Sequence, residues 1–406
     1  MRCLLTLLLL TLLGSPILRA ESRFAAPHLG LPVSSSDARS RGMGGVSTAI
    51  RGEDFSFTNP ARTVNFWRSG FSGGMAQDYT SLDDGTSRYD LRTNNFLGLR
   101  AIFPSYFKFV VGWGIYQWRD LNWEYTDTVS VPFIENRMAR HVQSEGGLYI
   151  SRFSIARSLG DHVALGLGID WMFGKAERTR SLFFQDKAYV DSRDAFNDKY
   201  SYLRPTVGLF TSFGWTNLGF SYTASTRGDR DRELIYRDGN LNSGIVVTQS
   251  TGLDFPMSWR MGISQRVGAR IVLGADLEYE GWSESDLPLN DPVTADDQWR
   301  WCLGAEFLPG RGENTPWYRS FPLRAGYSKT TLGYRLDGAA VSERVISVGC
   351  GSYFGRNNGL IDVALEFINR EVDNPAYPVE DVLRLSVSLS LFEKWTRIPR
   401  RRGVGE

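Results

Sequence analysis

The chain of 406 residues contains few cysteines and few histidines, three of each. Cysteine-rich zinc sites and disulfide-dense scaffolds need more of these residues than this chain has. Catalytic sites that use His or Cys likewise have few candidates here. We therefore expect no metal, no cofactor and no enzymatic activity.

The chain also lacks an excess of charge of either sign. Its 46 Lys and Arg residues are matched by 45 Asp and Glu residues, whereas a general nucleic-acid binder has a basic excess. Disorder is excluded as well, because aromatic residues make up 13% of the chain. We expect a folded protein that has no nucleic-acid partner.

Residues 1–20, MRCLLTLLLLTLLGSPILRA, predict an export signal. A basic residue, Arg2, precedes the apolar run Leu4–Leu13, and small residues and a proline follow it. A run of about ten residues is too short to cross a bilayer as a helix. No later segment offers about 18 consecutive apolar residues. The exported chain, cleaved near Ala20, is therefore either soluble or crosses a membrane as β-strands.

The remainder of the chain repeats an alternation of apolar and polar residues. In Leu383–Phe392, every second residue from Leu383 is apolar, and Arg384 and three serines lie between them. This period of two is typical of a strand with one apolar and one polar face. We predict fourteen such strands, near residues 67–79, 92–103, 107–118, 147–157, 162–174, 200–213, 216–225, 256–267, 269–281, 298–308, 321–329, 344–354, 359–370 and 381–392.

Short and long connections alternate between these strands. The links at 103–107, 158–161, 214–215, 268 and 355–358 are short, whereas those at 80–91, 119–146, 175–199, 225–255, 282–297, 330–343 and 371–380 are long and polar. Outer-membrane barrels have short periplasmic turns and long external loops. The pattern predicts an all-β fold, a transmembrane up-and-down antiparallel barrel of about 14 strands. The alternative is a periplasmic all-β protein.

The predicted organisation has four parts: signal 1–20, amino-terminal segment 21–65, barrel 66–392 and basic tail 393–406. An even number of strands places both termini on the periplasmic side of an outer membrane. We expect the polar strand faces to line the lumen, where a charged network braces the amino-terminal segment. The candidate lumen charges are Asp276, Glu278, Arg300, Glu306, Asp362, Glu366 and Arg384. The tail is interpreted as solvated or as a docking patch for a periplasmic partner.

The amino-terminal segment contains two unusual clusters. The first is Arg41, Gly42, Met43, Gly44 and Gly45, and its glycines allow positive φ angles and close backbone approach. The second is Asn59-Pro60-Ala61, where Asn-Pro favours a turn. The glycine spacing does not match a nucleotide-binding motif. We consider two interpretations, a compact packed turn and a plug inside the barrel, where surrounding protein tolerates irregular backbone.

These clusters resemble the FadL-type outer-membrane transport superfamily. The matching residues are Arg41, Met43, Gly44, Gly45, Ala49, Asn59, Pro60 and Ala61, together with Phe255-Pro256 before Trp259-Arg260-Met261-Gly262. The end of the predicted barrel, Leu391-Phe392-Glu393-Lys394-Trp395, looks more like the PorV/PorQ branch. The resemblance covers most of the chain in architecture and about two dozen residues in motif.

The resemblance implies a barrel closed by an amino-terminal hatch, embedded in membrane lipid. In FadL-type members a hydrophobic, fatty-acid-like molecule enters the lumen and leaves sideways at a kinked strand. Gly112 and Gly114 have two interpretations here, a strand kink or small residues that make room for the hatch. The PorV-like alternative implies an outer-membrane component that receives or shuttles secreted proteins in type IX secretion. A purely structural barrel is the third function considered.

Overall fold

The computed structural model describes residues 22–26, 29–33, 37–52, 54–83, 88–105, 108–129, 138–184, 190–238, 245–286, 293–308, 321–355 and 358–393. The predicted signal, 1–20, and residues 394–406 of the predicted tail lie outside these ranges. Within the described ranges, no helix is both long and apolar enough to cross a membrane.

The described chain forms strands almost throughout. The strands are β1 (Leu31–Pro32), β2 (Ser69–Asp83), β3 (Arg88–Pro104), β4 (Phe109–Asp120), β5 (Trp123–Val129), β6 (Met138–Ser158), β7 (Val163–Phe183), β8 (Ser192–Phe213), β9 (Thr216–Thr223), β10 (Thr226–Asp238), β11 (Ile245–Phe255), β12 (Ser258–Val267), β13 (Ile271–Glu280), β14 (Val293–Ala295), β15 (Gln298–Phe307), β16 (Leu323–Leu336), β17 (Ala339–Phe354), β18 (Gly359–Val372) and β19 (Val379–Glu393). One α-helix, α1 (Ala38–Gly42), and three short 3₁₀ helices, Arg23–Ala25, Pro60–Asn65 and Trp282–Glu284, accompany them.

Fourteen of these strands close into an antiparallel barrel. They are β2, β3, β4, β6, β7, β8, β9, β12, β13 and β15 to β19. The last strand pairs with the first along Val379–Glu393, which closes the sheet. Each predicted strand overlaps one of the fourteen. The predicted fold class, a 14-stranded barrel, is confirmed.

The two faces of the barrel wall differ as the alternation predicts. On β7, Leu165, Leu167 and Ile169 point outward and are exposed, whereas Gly166 and Asp170 point inward and are buried. A closed barrel pairs its backbone polar groups within the sheet, so its outer surface can be apolar. The alternating apolar residues therefore form the outward face, and separate apolar clusters are buried inside the barrel.

The long connections are more ordered than the sequence predicts. Residues predicted as polar links between 119 and 255 instead extend β6, β7 and β8 and add β5, β10 and β11. These polar residues pair across strands: Arg180 donates to Asp194, and Arg232 forms two bonds of 2.6 and 2.7 Å with Asp198. Alternation of apolar residues cannot detect strands whose two faces are both polar. We call β5, β10, β11 and the adjoining parts of three barrel strands the vestibule wall. These parts are Met138–Ser144 of β6, Phe173–Leu182 of β7 and Ser192–Ser201 of β8.

The amino-terminal segment runs through the lumen from end to end. At the end with the long connections, Ser22 donates to Glu380 (2.8 Å), and Tyr334 donates to the carbonyl of Phe24 (2.7 Å). The segment then descends to Phe66, next to the start of β2 at the end with the short turns. We call the described residues between Ser22 and Phe66 the lumen segment.

The two ends of the described chain therefore lie at opposite ends of the barrel. This differs from the expectation that both termini lie on the periplasmic side. An even number of barrel strands places only the first and last barrel residues, Ser69 and Glu393, at the same end of the barrel. A lumen segment that crosses the barrel without being a barrel strand reverses the position of the amino end.

Inward-facing glycines make room for the lumen segment. A Cβ on Gly326 would lie 2.1 Å from the amide nitrogen of Gly44, and one on Gly304 would lie 2.4 Å from the carbonyl oxygen of Met43. These distances are far inside van der Waals contact, and the atoms concerned belong to the backbone. The absence of side chains on these strands therefore decides how closely the segment approaches the wall.

We expect Gly326→Ala to lower the free energy of unfolding by about 1–3 kcal/mol, because the added methyl overpacks against the backbone of Gly44. Urea unfolding of the purified barrel measures it. The matched control is Gly168→Ala on β7, where the new Cβ has no neighbour closer than 3.5 Å. Equal effects of the two substitutions would contradict this role of Gly326.

Candidate functional site in the barrel lumen

The first predicted cluster forms a short helix and a turn in the lumen. Asp37 caps α1 by accepting a bond from the amide of Ser40 (2.7 Å). At the end of α1, the buried Arg41 donates to Glu366 (3.0 Å) on β18. The carbonyl of Gly44 then accepts a bond from Arg300 (3.1 Å). Gly42, Met43 and Gly45 lie between or beside these anchors, against Gly349, Gly304 and Arg300.

A chain of alternating charges joins α1 to three strands. Glu306 on β15 accepts bonds from Arg39 (2.7 Å) and Arg324 (2.8 Å), and Arg324 also donates to Asp362 (2.6 Å) on β18. The side chains of Glu306 and Arg324 are almost fully buried. Buried charges are tolerated only when they are paired and hydrogen-bonded. This network therefore makes the position of α1 depend on the barrel wall.

The remaining predicted lumen charges face the same interior. Asp276 accepts bonds from the amides of Ser47 (2.7 Å) and Thr48 (2.8 Å) in the lumen segment. Glu278 lies 3.6 Å from Arg300. Arg384 forms two 2.6 Å bonds with Asp78 across the closing pair of strands. All seven candidate lumen charges are thus inside the barrel, and each contacts a partner of opposite charge or a backbone amide of the lumen segment.

The second predicted cluster begins the 3₁₀ helix at Pro60–Asn65. The Asn59 side chain accepts a bond from the amide of Ala61 (3.0 Å) and donates to the carbonyl of Leu209 (2.9 Å) on β8. Pro60 stands at the first position of the helix and lies against Gly208. Ala61 lies against Gly166 on β7. The cluster therefore anchors the lower part of the lumen segment to two neighbouring strands.

Gly112 and Gly114 on β4 both face Phe57 of the lumen segment. A Cβ on Gly114 would lie 2.2 Å from the Phe57 ring, and one on Gly112 would lie 3.1 Å from it. Both glycines pair regularly with β3, and the register shift in β4 lies between Gln117 and Arg119. This geometry corresponds to the second interpretation of the two glycines, in which they make room for the lumen segment.

Sequence reasoning missed the buried pair Arg152–Asp170. Arg152 on β6 forms bonds of 2.5 and 2.6 Å with Asp170 on β7, and it also donates to the carbonyl of Phe57. Asp170 lies on the polar face of its predicted strand, so the alternation could have identified it as a lumen residue. The strand of Arg152 alternates poorly in sequence, so the alternation gives no indication that Arg152 faces the lumen. Arg39, Arg62, Asp78, Arg119 and Arg204 were missed as well.

A partly open cavity remains beside the lumen segment, with about 570 Å³ of space that includes open solvent. Its apolar lining includes Phe57, Tyr116, Trp118, Ile150 and Trp259. Its charged lining consists of Arg152, Arg204, Arg260 and Glu280. The cavity therefore offers aromatic walls together with an excess of positive charge. We call it the central cavity.

A second, partly open cavity lies where β3 and β4 separate, with about 500 Å³ of space that includes open solvent. These strands pair only between Leu99–Pro104 and Val110–Ile115. Between Arg88 and Phe96, β3 is paired with β2 but not with β4. The corresponding part of β4, at Arg119 and Asp120, pairs with β1 of the lumen segment instead. Leu31, Thr93, Leu97 and Asp120 belong to the cavity lining. We call this place the β3–β4 seam.

Among the described residues, no group of three or more His, Cys, Asp and Glu side chains has the arrangement of a metal site. The carboxylates of the lumen are instead bonded to arginines or to backbone amides. The lining of the central cavity offers aromatic rings and guanidinium groups.

We expect Asp170→Asn to lower the free energy of unfolding by about 3–5 kcal/mol, because the buried charge of Arg152 loses its counter-charge. Urea unfolding of the purified barrel measures this change. Glu177→Gln, which breaks an exposed pair with Lys175 on the same strand, is the control and should cost less than about 1 kcal/mol. A cost for Asp170→Asn as small as that of the control would show that the pair does not hold the wall together.

The fold is similar to those of solved outer-membrane channels. An FadL homologue of Pseudomonas aeruginosa matches with a TM-score of 0.62 at 14% identity, covering 90% of this chain and 100% of that one. The toluene transporter TbuX of Ralstonia pickettii matches with a TM-score of 0.59 at 14% identity, covering 89% and 99%. The toluene transporter TodX of P. putida matches with a TM-score of 0.58 at 14% identity, covering 90% and 100%.

At this level of identity the similarity shows the fold. It confirms, in architecture, the resemblance to FadL-type proteins. No curated protein matches the sequence. The BamG family model matches residues 19–400. The chain therefore belongs to the BamG family and has the barrel fold of the FadL-type outer-membrane channels.

Proposed function

We propose that this protein is a non-enzymatic outer-membrane barrel that binds a hydrophobic small molecule and allows its passage. The observation that carries the proposal is the central cavity, which has aromatic walls on one side of the lumen segment. Aromatic walls with a few polar groups are typical of sites that hold small ligands. The solved structures with this fold are named as transporters of toluene or as an FadL homologue.

The charges of the central cavity narrow the class of ligand. Three arginines and one glutamate line it. Guanidinium groups bind carboxylates in planar, two-bond geometry. An apolar molecule with one acidic head, such as a fatty acid, would place its tail against Phe57, Tyr116 and Trp259 and its head near Arg204 or Arg260. Arg152 is hydrogen-bonded to Asp170 and to the carbonyl of Phe57. Arg204 and Arg260 have longer ion pairs, 3.7 Å to Asp170 and 3.5 Å to Glu278, and are therefore more available.

The β3–β4 seam is the proposed lateral exit, and the lumen segment is the proposed hatch. Over most of the barrel, each strand is bonded to both neighbours, which closes the wall to lateral movement. At the seam, the upper part of β4 is bonded to the lumen segment instead of to β3. A shift of Leu31–Pro32 would therefore unpair an edge of the wall without breaking any bond between barrel strands.

The secretion alternative stays a prediction. In that role the barrel would receive exported proteins, and a periplasmic partner would dock at the basic tail, which lies outside the described residues. The lumen segment fills the interior along its length, so a folded cargo would have to bind at a rim and could not pass through. No observation in the described chain favours this role over the passage of small molecules.

We expect the mature protein, purified from its own outer membranes, to retain an apolar acid at near-unit occupancy. Ser258→Trp should reduce that occupancy at least tenfold, because Ser258 lines the central cavity and the indole would occupy it. Mass spectrometry of the extracted molecules measures the occupancy. Val267→Trp, at the exposed end of the same strand, is the control and should retain the molecule. A wild-type barrel without any apolar occupant would contradict the proposed function.

We further propose that the amino end lies at the external mouth, since the long connections of such barrels are external. In a Cys350→Ser background, Ser22→Cys should react with a membrane-impermeant maleimide on intact cells. Glu393→Cys, at the opposite end, should react only after the outer membrane is permeabilised. The reverse pattern would place the long connections in the periplasm.

A further inference from the structure

We propose that the inner face of the vestibule wall holds a second binding site, which takes a small aromatic anion through Arg178, Arg230 and Arg232. This site is separate from the central cavity, and it does not depend on the proposed function. Its ligand is a compact organic carboxylate with an aromatic ring. The register of β7, β8 and β10 brings these residues together, and their charges are unequally paired.

The register places these side chains on one face. Arg178 on β7 is directly opposite Phe196 on β8, and Asp198 and Tyr200 follow on β8 at steps of two. On β10, Arg232 is opposite Asp198, and Arg230 is opposite Tyr200. Directly paired residues and residues two apart share a face of a sheet. Four polar side chains, those of Arg178, Asp198, Arg230 and Arg232, therefore share this face with Tyr200.

This face is the one that looks into the vestibule. Trp123 on β5 and Val142 on β6 belong to it and pack in a buried cluster with Phe24 of the lumen segment. The opposite face carries Lys175, Glu177 and Lys199, which are exposed. Because Arg178 and Arg230 are only half-buried, a molecule that enters from the long-connection end can reach them.

The positive charges on the inner face exceed the negative ones. Arg180 is paired with Asp194, and Arg232 is paired with Asp198 at 2.6 Å. Within the described part of the chain, neither Arg178 nor Arg230 forms an ion pair. Arg230 donates from Nη2 to the hydroxyl of Thr251 (3.3 Å), and the Nε atom of each arginine has no hydrogen-bond partner. Burial lowers the pKa of Arg178. Two guanidinium groups thus have unused donors, which is the arrangement that an oxyanion satisfies.

Aromatic rings accompany these guanidinium groups. The Cζ atom of Arg178 lies 5.3 Å from the centre of the Trp123 ring, and those of Arg180 and Arg232 each lie 5.9 Å from the centre of the Phe196 ring. Burial raises the pKa of Tyr200 to about 12, with Asp198 adding to the effect, so its hydroxyl remains a neutral donor. A ligand with a flat ring and one carboxylate would use both kinds of contact, whereas inorganic phosphate would use only the charges.

The test is calorimetric titration of the intact detergent-purified protein with benzoate, inorganic phosphate and neutral benzyl alcohol. We expect benzoate to bind at least tenfold more tightly than benzyl alcohol, and more tightly than phosphate. Binding should weaken as salt is raised, because the site is partly exposed. The double variant Arg178→Gln/Arg230→Gln should bind benzoate at least tenfold more weakly than the wild type.

The matched control is Lys175→Gln/Lys199→Gln, which removes the same charge from the outward face of the wall. This variant should bind benzoate as the wild type does. If the arginine double variant does not fold, Arg230→Gln alone is titrated and should weaken binding at least threefold. Equal losses in the arginine and lysine variants, or equal binding of benzoate and benzyl alcohol by the wild type, would overturn the proposal.

Failure of this site and failure of the proposed function are distinguishable. The arginine variant should still retain the apolar molecule of the central cavity, as measured by mass spectrometry, because none of its altered residues lines that cavity. Conversely, an empty central cavity together with normal benzoate binding would contradict the proposed function and support the vestibule site.

Discussion

The pairing of charges between the lumen segment and the barrel wall is the interaction on which this structure depends. A β-barrel whose apolar residues face lipid has to turn its polar residues inward. Here many arginines and carboxylates are among the inward residues, and most of them are buried from water. Each charge then needs a protein partner. The lumen segment provides several of these partners through Arg39, Arg41 and the amides of Ser47 and Thr48.

A second constraint is space. The segment can satisfy the charges only if its backbone comes close to the wall, and inward glycines such as Gly166, Gly304 and Gly326 permit this approach. Charge pairing and glycine placement act together at Gly326, since a side chain there would displace Gly44, whose carbonyl accepts a bond from Arg300. The filled lumen is therefore a packed interior, and its cavities are local.

The barrel differs in character along its axis. In the part that lipid surrounds, alternate residues are apolar and face outward. In the vestibule wall both faces carry charged residues, and cross-strand ion pairs such as Arg232–Asp198 hold the sheet together. The same strands thus serve two environments. The change from one to the other explains why β7 and β8, with more than twenty residues each, exceed the length needed to cross a bilayer.

The sequence by itself determined the fourteen strands of the barrel and, where apolar residues alternate, the face each residue occupies, because period-two alternation is a local property of a wall between lipid and lumen. It also identified the two clusters of the lumen segment. Tertiary structure alone decided the path of that segment, the partners of its charges and the ordered vestibule wall. Those features depend on residues far apart in the chain, such as Arg41 and Glu366, separated by 325 positions. Local alternation contains no information about such pairs.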